Sequence, residues 1–252
     1  MSNAGDLTGK VILVTGAAQG IGEAGARFCA ERGGRVILAD WNEAKVQESC
    51  AALAARGFDV HAEAVNVADP DSVQTLMQHV QERYGRLDVM VCAAGIFRGI
   101  MQQPDELSVE DFQAVIDVNL KGPFLCTKYA MPLFDAAGKS TLVIIGSGAG
   151  VKGGSGSIAY GASKGGANGL GMTLDRHIAE RNVRVNVLCP GGIATTLKLD
   201  LEAERERLAG GDPVAKRAEL ETTLGSPDGV GKVIAFLASD DADYIRGTLF
   251  TR

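Results

Sequence analysis

Seven short runs rich in aliphatic and β-branched residues recur along this 252-residue chain, with longer amphipathic stretches between them. They span residues 11–15, 35–40, 60–65, 87–92, 142–146, 183–189 and 248–251. Most are almost continuously apolar rather than alternating, which is the pattern of parallel strands covered on both faces. Strands alternating with helical stretches imply βαβ units with right-handed crossovers. Helix starts are marked in the same reading. Asp69-Pro70 and Ser226-Pro227 each set a capping residue before a proline, and Ser108 to Asp111 resembles a capping box. No linker or repeat interrupts residues 1–252, so a single doubly wound α/β domain with helices on both faces of about seven strands is expected.

Composition excludes several classes. The formal charge is −6 and no lysine or arginine cluster occurs, which argues against a nucleic-acid partner. The five cysteines are scattered, without zinc or disulfide spacing, and fit a reduced, cytoplasmic setting. The three histidines are far apart, and no metal site is expected. No signal peptide or bilayer-length apolar run is found, so no membrane association is expected. The 33 glycines belong to no repeat, and must serve special backbone positions.

One group of them lies where chemistry is expected. The first strand runs into Thr15-Gly16-Ala17-Ala18-Gln19-Gly20-Ile21-Gly22, and a helix follows. Gly16, Gly20 and Gly22 would let the backbone turn and approach a diphosphate at the helix N-terminus, with Gln19 and Ile21 lining the turn. A plain βα turn is the alternative. Asp40 ends the second strand, where a carboxylate would bond an adenosine ribose hydroxyl and repel a 2′-phosphate. Gln19 and Trp41 are the neighbours that might have been basic and are not, so NAD is favoured over NADP. Asp40 capping a loop is the plainer alternative.

A second group follows further along. Tyr160 and Lys164 are four apart in a helical stretch and share a face; a nearby ammonium should lower the tyrosine pKa. Ser147 follows the fifth strand, at the end of the sheet where open α/β folds place ligands. Asn119 is a polar residue in an amphipathic run, which alone would suggest a solvated or helix-bending position.

Taken in order, the glycine loop, the Asn119 segment, Ser147, Tyr160 with Lys164, and Pro190-Gly191-Gly192-Ile193-Ala194-Thr195 resemble the short-chain dehydrogenase/reductase (SDR) family over nearly the whole chain. The resemblance implies a Rossmann-type fold and an oxidoreductase acting on a secondary alcohol or ketone. It implies Tyr160 as general acid/base, Lys164 on the nicotinamide ribose and assisting Tyr160, Ser147 on the substrate oxygen, and Asn119 supporting a proton path. Pro190, Gly191, Ile193 and Thr195 would hold the carboxamide end of the cofactor. Asn66-Val67 stands where the family usually has Asp-Val to contact adenine, and Cys92-Ala93-Ala94-Gly95 where it has Asn-Asn-Ala-Gly. The Asn66 amide oxygen should still accept from adenine, and Ala94-Gly95 keeps the close backbone approach. A homo-oligomer, tetramer or dimer, is implied. The family's Asp-Gly-Gly tail is missing after Thr251-Arg252, which weakens the tetramer.

Specificity should come from the loops after the fourth and fifth strands and from residues 195–226, which carry seven acidic and five basic side chains. This stretch reads as a lid of two short helices around Gly210-Gly211-Asp212-Pro213. Its charge balance is unsuited to an acidic carrier protein. Arg98 and Lys152 could reach the pocket rim and hold an anionic substrate, though solvated surface charges are the stronger expectation. An NAD-dependent dehydrogenase of a small alcohol, hydroxylated ring or polyol is therefore expected. A 3-oxoacyl-thioester reductase is the alternative enzyme, and a catalytically silent dinucleotide sensor or scaffold the alternative outside enzymes.

Overall fold

The computed structural model describes residues 5–251; the Arg252 of the short C-terminus lies outside them. Seven parallel strands form one sheet in the order β3-β2-β1-β4-β5-β6-β7. They are β1 (Val11–Thr15), β2 (Arg35–Asp40), β3 (Val60–Ala64), β4 (Val89–Cys92), β5 (Ser140–Ile145), β6 (Val183–Cys189) and β7 (Gly247–Phe250). The expected segments are all present. Their ends shift by up to two residues, because hydrogen-bonded pairing rather than apolarity decides where a strand stops.

The continuous apolar runs now have a cause. Every residue of β1, β4, β5 and β6 is buried. In β1, Val11 and Leu13 point to one layer and Ile12 and Val14 to the other; Leu142 and Val143 divide β5 in the same way. The first layer holds Leu76 of α3 (Pro70–Tyr84), Phe134 of α5 (Gly122–Ala137) and Ala167 of α6 (Ile158–His177). The second holds Ala26 of α1 (Gly20–Glu31), Leu53 of α2 (Glu43–Ala54) and Ile234 of α9 (Pro227–Ala238). The edge strands β3 and β7 are less buried, and β3 accordingly carries His61 and Glu63.

The helix signals act as expected. Asp69, Ser108 and Ser226 cap α3, α4 (Val109–Ile116) and α9 through their side chains. Between α4 and α5 the chain makes a π-helical turn at Asp117–Lys121, which periodicity did not reveal. Such turns are rare and concentrate at functional sites.

Residues 195–226 form α7 (Thr196–Leu208) and α8 (Pro213–Thr223), the two helices expected around Gly210-Gly211-Asp212-Pro213. This excursion is pinched at its base. Ala194 N donates to Gly225 O at 2.8 Å, and Gly225 N donates to Gly192 O at 2.9 Å.

Strands β1 and β4 are neighbours although two strands lie between them in sequence, so the crossovers diverge there. That is the switch point at which open α/β sheets bind ligands. Among the described residues no helix is long and apolar enough to cross a membrane, and no group of three or more potential ligands could hold a metal.

Candidate active site

A cleft of about 790 Å³ opens above the carboxyl ends of the central strands. Of the site residues singled out from the sequence, all line it except Asn119, which lies just behind, and the rim candidate Lys152. The cleft is built from the switch point outward. Gly16 has φ +70°, and a Cβ there would fall 2.6 Å from the Ala94 nitrogen. The loops after β1 and β4 therefore touch through bare backbone, and only glycine fits. A Cβ on Gly22 would strike the Gly16 carbonyl at 2.2 Å, so the first turn of α1 packs equally closely. This opening, with free amides at the start of α1, fits a dinucleotide diphosphate.

At the end of the cleft beside β2, Asp40 is almost fully buried. Its carboxylate accepts from Ala18 N at 3.1 Å and from Asn42 N at 3.0 Å. It thus caps the loops and also faces the cleft; the two readings of Asp40 are compatible. One expectation needs correcting. A basic residue does stand nearby: Lys45, on α2, lines the cleft and bonds the Gln19 amide oxygen. It was missed because it lies five positions beyond Asp40, on the helix and not in the loop. Asn66 accepts from Ala68 N at 3.1 Å, leaving its oxygen one lone pair for a ligand.

At the other end, Ser157 caps α6. It accepts from Tyr160 N at 3.1 Å and so sets where the helix, and the tyrosine with it, begins. Ser147 faces the Tyr160 phenol. Burial raises the Tyr160 pKa, and hydrogen bonding to Ser147 pulls it back in part. The lowering by Lys164 expected from sequence does not set the direction here; burial of the phenol does. Lys164 is also buried; desolvation pushes it down to about 8. Its Nζ donates to the Ile145 carbonyl at 2.8 Å and lies 5.7 Å from the Tyr160 ring centre.

Asn119 is buried in the π turn, not solvated. It accepts from Ile96 N at 2.8 Å and donates to Ile96 O at 3.0 Å and to Ser163 Oγ at 3.1 Å. It pins the loop after β4 to α6. A Cβ on Gly95 would lie 3.4 Å from Asn119 Oδ1 and 3.7 Å from Lys164 Nζ, so both head groups flank that glycine.

The cleft has further walls that sequence reasoning missed. Phe97 stacks obliquely on Tyr160, ring centres 4.8 Å apart. Met101 lines the rim of the loop after β4, and Leu197, Leu201 and Arg205 line it from α7. The sequence marked the segments that carry them, the loop after the fourth strand and residues 195–226, but not these individual side chains. Arg98 reaches the cleft but is bonded to Asp111 at 2.7 Å, and Lys152 sits on the Phe250 ring at 3.6 Å, outside the lining.

A family model described as short chain dehydrogenase matches residues 10–206. The chain is a short-chain dehydrogenase/reductase. As such it is an oxidoreductase acting on CH–OH and keto groups. The dehydrogenase is 36% identical over 242 residues to a 3-oxoacyl-(acyl-carrier-protein) reductase of Thermotoga maritima, covering 96% of this chain and 95% of that protein. It is 34% identical to a cyclohexanol dehydrogenase of an Acinetobacter species, covering 96% and 92%. Among solved structures it is similar to levodione reductase, with a TM-score of 0.87, 27% identity and coverage of 97% and 96%.

Proposed function

We propose that this dehydrogenase oxidises small secondary alcohols, or reduces the matching ketones, with NAD as its dinucleotide. The observation that carries this reading is the pairing of Ser147 with Tyr160 in one cleft with a buried Asp40. Bound NAD supplies the hydride acceptor or donor. Asp40 and the start of α1 hold its adenosine ribose and diphosphate, Asn66 and Val67 its adenine, and Pro190, Gly191, Ile193 and Thr195 its carboxamide end.

Ser147 orients the substrate oxygen by donating its hydroxyl proton to a lone pair. Tyr160 then takes the alcohol proton during oxidation, or gives its own during reduction. Lys164, held by Ile145, keeps a positive charge beside the phenol, and a neighbouring cation favours phenolate. Asn119 holds the loop after β4 against α6 and supports the proton path toward Lys164. Phe97 and α7 exclude water from the reacting oxygen.

The wider reading includes a homo-oligomer and a reducing, cytoplasmic setting. The five cysteines, none in a disulfide, favour the setting. A titration with NADH and NADPH, following the fluorescence of Trp41, tests the dinucleotide. Tighter NADH binding supports the reading, and tighter NADPH binding overturns the role given to Asp40. Light scattering tests the assembly.

A second enzymatic reading, 3-oxoacyl-thioester reduction, is favoured by the Thermotoga maritima relative. The acid-rich α7–α8 face argues against an acidic carrier as partner. Turnover of an acetoacetyl thioester in preference to any alcohol would move this reading to first place.

A further inference from the structure

The open side of Tyr160 is formed by two loops, one after β4 and one before α6. Two hydrogen bonds tie them: Ser157 Oγ donates to Arg98 O at 2.6 Å, and Met101 N donates to Gly156 O at 2.7 Å. The second bond is made from an unusual backbone. Met101 has φ +53°, and among the described residues the only other non-glycine with positive φ is Asn182. Asn182 has a local reason, since asparagine tolerates this region and its amide bonds Gly138 O at 2.7 Å. Met101 has none. Backbone held in this region is over-determined by its surroundings, and such positions cluster at ligand clamps.

The strain places a particular side chain. Met101 is 52% exposed yet lines the cleft. A Cβ on Gly156 would meet its sulfur at 3.6 Å, whereas Cβ atoms on Gly153 and Gly154 would meet nothing within 4 Å. The thioether therefore leans on a glycine rim that leaves open space beside it. Behind the rim stands Phe97, stacked on Tyr160, and opposite lie Leu197 and Leu201. The mouth is partly charged: Arg98, already held by Asp111, lines it with Lys198, Glu202 and Arg205 of α7. Phe97, Leu197, Leu201 and the thioether supply its apolar slot, whose outer wall is flexible and polarisable, a role suited to methionine.

We infer that Met101 is a specificity-determining residue, its thioether closing a slot that takes an alicyclic ring alcohol or ketone in preference to a straight chain. This rests on the alcohol and ketone reading above. A compact ring fits between Phe97 and the thioether, while an extended acyl arm has to pass Met101.

The test compares cyclohexanol with 2-butanol, using the ratio of their kcat/KM values with NAD. Met101→Gly removes the thioether and relieves the backbone, so it folds; Met101→Ala removes the thioether and keeps the strain; Met101→Leu restores bulk. The ratio is expected to favour cyclohexanol in the parent, to fall about tenfold in the glycine and alanine variants, and to recover in the leucine variant, since filling such a pocket is worth 10–200-fold per group. Equal losses on both alcohols would make Met101 merely structural and overturn the inference. A parent enzyme that oxidises 2-butanol as well as cyclohexanol would overturn the ring preference alone. Turnover of an acetoacetyl thioester with neither alcohol would sink the alcohol reading, and this inference with it.

Discussion

Lys164 Nζ donates to the backbone carbonyl of Ile145, 2.8 Å away, and not to the tyrosine one helical turn before it. The end of β5 thus holds the lysine in place beneath the cleft. Burial depresses Lys164 to about 8, so its charged form is the disfavoured one in the folded state. The unfolded chain binds that proton more tightly, and stability should rise as pH climbs from about 8 toward the ordinary lysine value of 10.5. In Lys164→Met this contribution vanishes. Melting temperatures measured between pH 7 and 10 should show the difference, variant minus parent, decreasing as pH rises. A constant difference would mean that the lysine is not desolvated.

The same substitution acts on the chemistry. Lys164 Nζ lies 5.7 Å from the Tyr160 ring centre, and a neighbouring cation favours phenolate, so its removal should move the tyrosine pKa up. The pH profile of alcohol oxidation should shift to higher pH by about one unit or more, in line with the effect of a neighbouring opposite charge. Initial rates across pH 7 to 10 check this.

Tyr160→Phe keeps the ring against Phe97 and removes the proton carrier. Turnover should fall by roughly 10²–10⁴-fold, the usual contribution of positioned proton transfer. NADH affinity, read from Trp41 fluorescence, should stay within about twofold, because a single hydroxyl at the substrate end contributes little to dinucleotide binding. Substantial residual turnover would remove Tyr160 from its proposed role.

Asp40 and Lys45 both line the cleft, and under the proposed reading they share its ribose end. Asp40→Asn removes the charge that repels a 2′-phosphate and leaves Lys45 to attract one. The ratio of NADPH to NADH affinity should rise about tenfold or more, a change worth ~1.4 kcal/mol. Adding Lys45→Ala should reverse most of that gain, which calorimetric titration of the single and double variants can measure. The amide can accept only one of the two backbone bonds with its oxygen, so a stability loss of about 1 kcal/mol is also expected.

Asn119→Ala leaves the Ile96 amide and the Ser163 hydroxyl short of partners in a buried place. An unsatisfied buried donor costs about 1–3 kcal/mol. In a chain of this size that lowers the melting temperature by roughly 2–4 °C per kcal/mol. Calorimetric scanning checks this, and an unchanged melting temperature would show that water replaces the amide.

The parallel sheet could be read from sequence because its strands are buried on both sides and carry little else, so 183–189 stood out without ambiguity. The cofactor loop was legible because Gly16 and Gly22 obey hard steric limits that leave a mark in the residue type. What escaped was set by tertiary contact. Lys45 reaches the cleft only because α2 leans toward Gln19, and the π turn that buries Asn119 has no periodicity of its own. Met101 gave no sign, since a left-handed methionine is chosen by its surroundings and not by its own propensity. Tyr160 and Ser147 do meet in one cleft, but the direction of the tyrosine pKa depends on how dry the cleft is, which spacing does not encode.

The pinch between Gly192 and Gly225 has a consequence for how such a protein can change. Two backbone hydrogen bonds close the neck of the α7–α8 excursion and involve no side chain. Residues beyond the neck can be lengthened, shortened or recoded while Thr195 and the sheet below keep their positions. The excursion behaves as an exchangeable cassette, so new substrates can be recruited by grafting between Thr196 and Leu224 while Thr195 and the proposed proton-transfer residues stay in place.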